Sequence, residues 1–309
     1  MMVRPLYPFD LAQLVPFSRK AHPNEASLMD GMSEVGRPSP GVLLGYALPL
    51  YPRRSTWVCV DGGHLRGVVS AKGSQGCTSW QVDYLQADGE DTCVALLGRV
   101  SREAARGGIK KVYLRLPSTS PFLDGVRRAG FSSYVEERLF RYRGGEASLE
   151  APAPGPYSLR PCEHWDKYRL FNLYSAAVPI PVRVALGVDM EELRESRDMA
   201  SWRSRHREFV LQDSSALVGW IGAGVEKGVG SLVLMFDSEL EHEALRWLVD
   251  YGLVSLGQRR AVFCVAFAFQ GRLSGLLQEH RFEEAAQYTR MVKDIAVRVK
   301  DPDYMPALI

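Results

Sequence analysis

The chain has 309 residues, 46% of them hydrophobic and 24% charged, with a formal net charge of +2. That is enough apolar material for one full core and for a second. Near-balanced charge without a clustered basic face excludes nucleic acid as the main partner, and no apolar run approaches the roughly 18 residues of a membrane-spanning helix.

The five cysteines, Cys59, Cys77, Cys93, Cys162 and Cys264, are scattered, with no CxxC pair. An odd number without a secretory leader predicts reduced thiols in a cytoplasmic protein. The six histidines are equally dispersed, so no metal site is expected.

In chain order, Val3-Arg4-Pro5 predicts a short strand, then a helix over 10–21 with Asp10 as N-cap and Leu11, Leu14, Val15 and Phe17 as its apolar stripe. A helix at 24–32, a Pro/Gly/Ser loop at 36–41 and a helix at 42–50 follow. Two strands meet at Asp61-Gly62-Gly63, a hairpin signal. Another strand over 78–87 leads to a helix on which Leu96, Leu97, Val100 and Ala104 recur and which Gly107-Gly108 ends. Val112, Leu114 and Leu116 then alternate as a strand, 121–129 is a short helix closed by Gly130, and Phe131 opens the next strand. Strand–helix–strand units of this length are right-handed parallel crossovers.

The run 144–156 is rich in proline and glycine and reads as a linker. Beyond it the pattern starts again. Arg160-Pro161 echoes Arg4-Pro5, 164–178 and 182–197 are helical, two paired strands and a third follow, and a second long helix ends at Gly257. Gly108 maps to Gly257, Phe131 to Phe282 and Arg4-Pro5 to Arg160-Pro161, at nearly constant offset.

The spacing LLxxVxxxAxxxGxxxVxL…AGF over 96–131 resembles the acetyl-CoA-binding half of the GNAT acyltransferases. The resemblance implies an α/β chain of mixed sheets, two GNAT-like domains in tandem at 1–143 and 157–309, packed as a pseudo-dimer through a large apolar interface. It also implies acetyl-CoA as cofactor, a small-molecule amine as acceptor, and a cleft where strands four and five of each copy splay apart. In the family a [QR]-x-x-G-x-[GA] loop grips the pyrophosphate at the start of the long helix, where glycine allows close approach and the helix end favours an anion. Carried over, this assigns Leu85, Gln86, Gly89, Glu90, Asp91, Thr92 and Cys93 to cofactor binding. Gln86 and Gly89 match the motif; the alternative register, 88–93, puts Asp91 and Cys93 where the family has small residues.

Asp83 is the acid inside the fourth strand and the candidate general base, with His64 behind it. The tyrosine that serves many family members as general acid is replaced by Val126 in the first copy and Leu277 in the second; Tyr134 and Tyr288 fall on strands. The second copy's loop, 237–242, has no glycine and three carboxylates, with Arg246 an exposed helix arginine one turn on. Tyr46 and Tyr51 are candidates for an acceptor pocket, and the basic run 202–208 for an acidic partner. Two functions follow: an acetyl-CoA-dependent N-acyltransferase with its site in the first copy, or a catalytically degenerate module binding a small ligand or partner in the same cleft.

Overall fold

The computed structural model describes residues 1–20, 26, 54–73, 78–144, 153–187, 206–214, 216–226, 228–257, 259 and 261–296. The elements expected between 24 and 53, with Tyr46 and Tyr51, most of the linker and all of 188–205 lie outside the described residues. The first half runs β1 (Met2–Pro5), α1 (Leu11–Lys20), β2 (Arg54–Asp61), β3 (His64–Gly73), β4 (Ser79–Ala87), α2 (Glu90–Arg106), β5 (Lys111–Pro117), α3 (Leu123–Arg128) and β6 (Ser132–Tyr142). The second runs β7 (Ser158–Pro161), α4 (Lys167–Ala177), α5 (Ile180–Leu186), β8 (His206–Gln212), β9 (Leu217–Glu226), β10 (Val229–Phe236), α6 (His242–Leu256), β11 (Ala261–Phe267), α7 (Gly271–Glu279) and β12 (Phe282–Asp294).

Both halves open on the same device. Arg4 makes a two-pronged pair with Asp10, both contacts 2.7 Å, and Arg160 does so with Asp166 at 2.6 Å. The same carboxylates reach back to the N–H groups of Tyr7 (2.8 Å) and Glu163 (2.9 Å). Asp10 is therefore not the N-cap of the first helix; it closes a 3-10 turn, Pro8–Asp10, that clamps the first strand to that helix. The device recurs 156 positions on, at the offset of the Arg-Pro pair.

Asp61 pairs with His64 across the expected hairpin, with φ of +56° at Gly62 and +80° at Gly63 as a two-residue turn demands. The stripe Leu96, Leu97, Val100 and Ala104 is fully buried against the sheet. A Cβ at Gly67 of β3 would lie 2.7 Å from Thr92 Cγ2, so glycine there lets the first turn of α2 settle on the sheet. Gly252 of α6 does the same on β9, with a Cβ 2.5 Å from Ile221 Cδ1. Residues 108 and 257 share positive φ, as do 130 and 281, although Arg281 stands where the first half has Gly130.

The two halves form one sheet of twelve strands, ordered β1-β2-β3-β4-β5-β12-β6-β11-β10-β9-β8-β7. Read from either end, the order is the same once each strand is replaced by its counterpart. The last strands are exchanged: β12 lies between β5 and β6, and β6 between β12 and β11. They pair with each other over most of their length, and each carries one extra residue, Tyr134 and Ala285, at equivalent places. The expected pairing of two sheets through an apolar interface is thus replaced by edge-to-edge hydrogen bonding, which leaves neither half a free inner edge.

At the centre of the exchange Glu137 of β6 accepts hydrogen bonds from Arg115 of β5 and Arg290 of β12. All three side chains are at most 5% exposed. Arg115 lies 3.7 Å from the centre of the Tyr288 ring. The counterparts of Arg115 and Arg290 are Val265 and Leu139, so this cluster is not repeated.

Candidate functional site

β4 and β5 run parallel and bond only over Ser79–Gln81 against Lys111–Tyr113. Beyond that point they separate, and β4 carries an irregularity there. Ser70 of β3 faces Tyr84 and Ala71 faces Val82, so Asp83 is the unpaired extra residue of a bulge. A bulge bends the strand that carries it and re-aims side chains. β10 keeps unbroken register with β9 and has no such residue.

Asp83 is 2% exposed and ion-paired with Arg54. Burial holds its carboxyl above the ordinary range, against the pull of Arg54, Lys72 and Ser70. Thr56 Oγ1 donates to Ser70 Oγ at 3.3 Å beside it. His64 is exposed at the hairpin, away from this cluster.

The carboxyl end of β4 leads into α2 through Gly89, the helix N-cap, whose missing Cβ would meet nothing within 4 Å. A cavity of about 470 Å³ opens there, lined by Arg66, Asp88, Gly89, Glu90, Thr92 and Arg128 among others. Its acids are all engaged. Arg128 donates to Glu90 (2.8 Å) and Asp91 (3.1 Å), Arg66 holds Asp88 at 2.6 Å, and Thr92 Oγ1 donates to Asp88 at 2.8 Å. The expected cofactor residues thus divide. Gly89, Glu90, Asp91 and Thr92 line the cavity, Gln86 is buried and accepts from the Tyr84 hydroxyl at 2.6 Å, and the side chains of Leu85 and Cys93 are core. Arg66 and Arg128 were not anticipated; they come from β3 and α3, and only the fold brings them together. Val126 and Leu277 are fully buried core residues, and Tyr288 is a buried sheet residue.

The second half differs at each of these points. Its parallel pairing ends at Leu232 and Cys264. Past that, the Gln270 side chain spans the gap, Nε2 donating to Leu234 O at 3.0 Å and Oε1 accepting from Phe267 N at 3.1 Å. In the first half Ser120 holds the corresponding place, bonded through its N–H to Pro117 O as Gln270 is to Phe267 O. Its hydroxyl turns to Phe122 N instead, at 3.2 Å. At the start of α6, Leu240 is buried, and Arg272 donates to the carbonyls of Ser238 and Leu240 at 2.6 Å. Arg246 pairs with Glu279 at 2.5 Å.

A splayed parallel pair running into a long helix, occurring once in each half of the chain, fits a known set of solved structures. The chain is similar over 96% of its length to 99% of a tandem GNAT protein from the clavulanic acid biosynthesis pathway, with TM-score 0.56 and 15% identity. The fold is the tandem GNAT fold. A GCN5-related N-acetyltransferase from Sphaerobacter thermophilus is similar at TM-score 0.53 and 14% identity, over 97% of both chains. A conserved protein of unknown function from Staphylococcus epidermidis is similar at 0.54 and 10%, over 77% of this chain and 93% of that one. No protein-family model and no curated protein sequence matches the chain. Among the described residues no helix is long and apolar enough to cross a membrane, and no group of three or more His, Cys, Asp or Glu is placed to hold a metal ion.

Proposed function

We propose that the chain is an acetyl-CoA-dependent N-acyltransferase acting on a small-molecule amine, with its site in the first of two domains, 1–143 and 157–309, joined by 144–156. The observation that carries this is the asymmetry of the two halves: β4 carries a bulge where it parts from β5, and a cavity of about 470 Å³ opens at the start of α2, whereas Gln270 bridges β10 and β11.

The residues present suit the cofactor. Gly89 leaves room for close approach, and the first N–H groups of α2 favour an anion. Arg66 and Arg128 flank the cavity and supply positive charge that Asp88, Glu90 and Asp91 now share. When bound, acetyl-CoA supplies a thioester-activated acyl group. Asp83 takes the proton of the acceptor ammonium: its raised pKa makes it a better base near neutrality than an ordinary aspartate. Arg54 holds the carboxylate in place, and the Ser70 and Lys72 side chains complete a polar wall on the same face of the sheet.

Release of CoA thiol from acetyl-CoA, followed over a panel of primary amines, tests the proposal. Turnover with an amine is expected, and Asp83→Asn lowers it at least tenfold while leaving acetyl-CoA affinity unchanged. An unchanged rate removes Asp83 as base. A second reading, a binding module without turnover, is favoured by Val126, a core residue at the general-acid position. Acetyl-CoA binding with no thiol release from any amine would decide for it.

A further inference from the structure

Gln81 stands where β4 and β5 part: it is the last residue of β4 in register with β5, opposite Tyr113. On its other side it faces Lys72 of β3. The residue is 5% exposed, and among the described residues its Nε2 has no hydrogen-bond partner. Neither neighbour serves it. Tyr113 turns its hydroxyl to Leu186 O of α5 at 2.6 Å, and the Lys72 ammonium is itself a donor.

Asp83 follows two residues on, at the bulge. It gives Oδ2 to Arg54, while its Oδ1 is buried with no hydrogen-bond partner among the described residues. Arg54 lies opposite Lys72, and Lys72 opposite Gln81, so Asp83 and Gln81 serve one face of the sheet. Buried polar atoms without partners are rare in a folded chain. A donor and an acceptor two residues apart on one face define what fills them: a group that donates to Asp83 and accepts from Gln81.

Spacing narrows the group. Side chains two apart along a strand stand about 7 Å from each other, and two hydrogen bonds of about 2.9 Å span that gap when the ligand's own donor and acceptor are about 3 Å apart. An amine one carbon from a carbonyl meets this. A carbonyl oxygen only accepts, so it satisfies Gln81 and brings no further donor into the site, as a hydroxyl would. Proton transfer agrees. An α-amino group beside a carbonyl titrates near 8, against about 10.4 for an alkyl amine, so it yields its proton to a carboxylate more readily.

We propose that the acceptor is an α-aminoacyl compound, its amine on Asp83 Oδ1 and its carbonyl oxygen on Gln81 Nε2; this rests on the acyl-transfer reading above. Gln81 is then the residue that selects the acceptor, and Asp83 the one that takes its proton.

Thiol release from acetyl-CoA tests this with glycinamide and with isobutylamine, which has a similar shape without the carbonyl, compared at equal free-amine concentration. In wild type, kcat/KM for glycinamide is expected to exceed that for isobutylamine at least tenfold. Gln81→Met is expected to erase this preference while leaving isobutylamine turnover within about twofold, which also reports that the variant folds. Gln81→Leu serves in its place should it not fold. No preference for glycinamide in wild type would overturn the inference and leave acyl transfer standing. An equal loss for both amines in a folded variant would do the same, because Gln81 would then serve the acetyl group. No turnover of any amine would overturn acyl transfer instead, and calorimetric titration then reads recognition by itself. Glycinamide is expected to bind at least tenfold more tightly than propanamide, which lacks the amine, or isobutylamine. Equal binding of the three, or no binding of glycinamide at about 10 mM, would overturn the inference as well.

Discussion

Glu137→Gln is the sharpest perturbation of the exchanged strands. Gln keeps the volume and removes the one carboxylate that Arg115 and Arg290 share. Breaking a fully buried ion pair costs about 3–5 kcal/mol. Two guanidiniums bound to one carboxylate lie about 6 Å apart, and at an effective dielectric near 20 their exposed repulsion is about 3 kcal/mol, part of the same figure. The expected loss is about 4 kcal/mol, a large share of the roughly 5–15 kcal/mol that holds a folded protein together. Urea unfolding at pH 7, followed by circular dichroism, reads the loss as a shift in midpoint at unchanged slope. Because β6 and β12 each lie inside the other half, wild type and variant are expected to unfold in one transition. The difference is also expected to persist between low and high salt, since the cluster is shielded from solvent. A loss below about 1 kcal/mol, or one that vanishes in 0.5 M salt, would refute the claim that this cluster holds the exchange together.

Arg281→Gly is expected to stabilise the chain by about 1 kcal/mol, because Arg281 sits at φ +61° where glycine is at ease; thermal unfolding measures it. The Asp10 and Asp166 clamps govern acid stability. Burial opposes ionisation at Asp10, but Arg4 and the Tyr7 N–H hold its carboxyl below the ordinary range; Arg160 outweighs burial at Asp166. Their stabilisation is present above the unfolded aspartate value near 3.8 and is lost as pH falls through the lower folded value. A double Asp10→Asn, Asp166→Asn variant should be less stable at pH 7 by about 1–2 kcal/mol per site and show a flatter acid limb in urea unfolding between pH 5 and about 2. An acid limb as steep as wild type would contradict this.

Much of the framework was legible because it rests on local rules. Gly62-Gly63 fixed the hairpin, the Leu96 to Ala104 stripe fixed the long helix, and Gly108 and Gly257 marked equivalent helix ends. The Arg-Pro echo pointed to the repeat, although its partner aspartates at 10 and 166 were not paired with it. The exchange of β6 and β12 left no mark in the pattern, because both strands have apolar positions suited to either neighbour. The bulge at Asp83 was marked only by one residue: the offset between halves drops from 150 at Gln81 and Ser231 to 149 at Tyr84 and Val233. Gln270 as a bridge, and Arg66 and Arg128 as partners of the acids near Gly89, depend on contacts between elements far apart in sequence. The acidic residues at the start of α2 look disabling for the proposed phosphate site one at a time; in the fold Asp88, Glu90 and Asp91 each have a cation beside them.

The proposed function requires that one half, and only one, hold an acyl carrier. Calorimetric titration of the full chain with acetyl-CoA tests it most directly, together with Gly89→Asp. That position is extended, and its added side chain meets open space, so the variant is expected to fold. A carboxylate placed about 5 Å from a phosphate costs about 3 kcal/mol before screening, so affinity should drop at least tenfold. One site per chain is expected, lost in Gly89→Asp and unchanged in Ser238→Asp at the start of the second half's long helix. No binding, two equivalent sites, or full affinity in Gly89→Asp would contradict it.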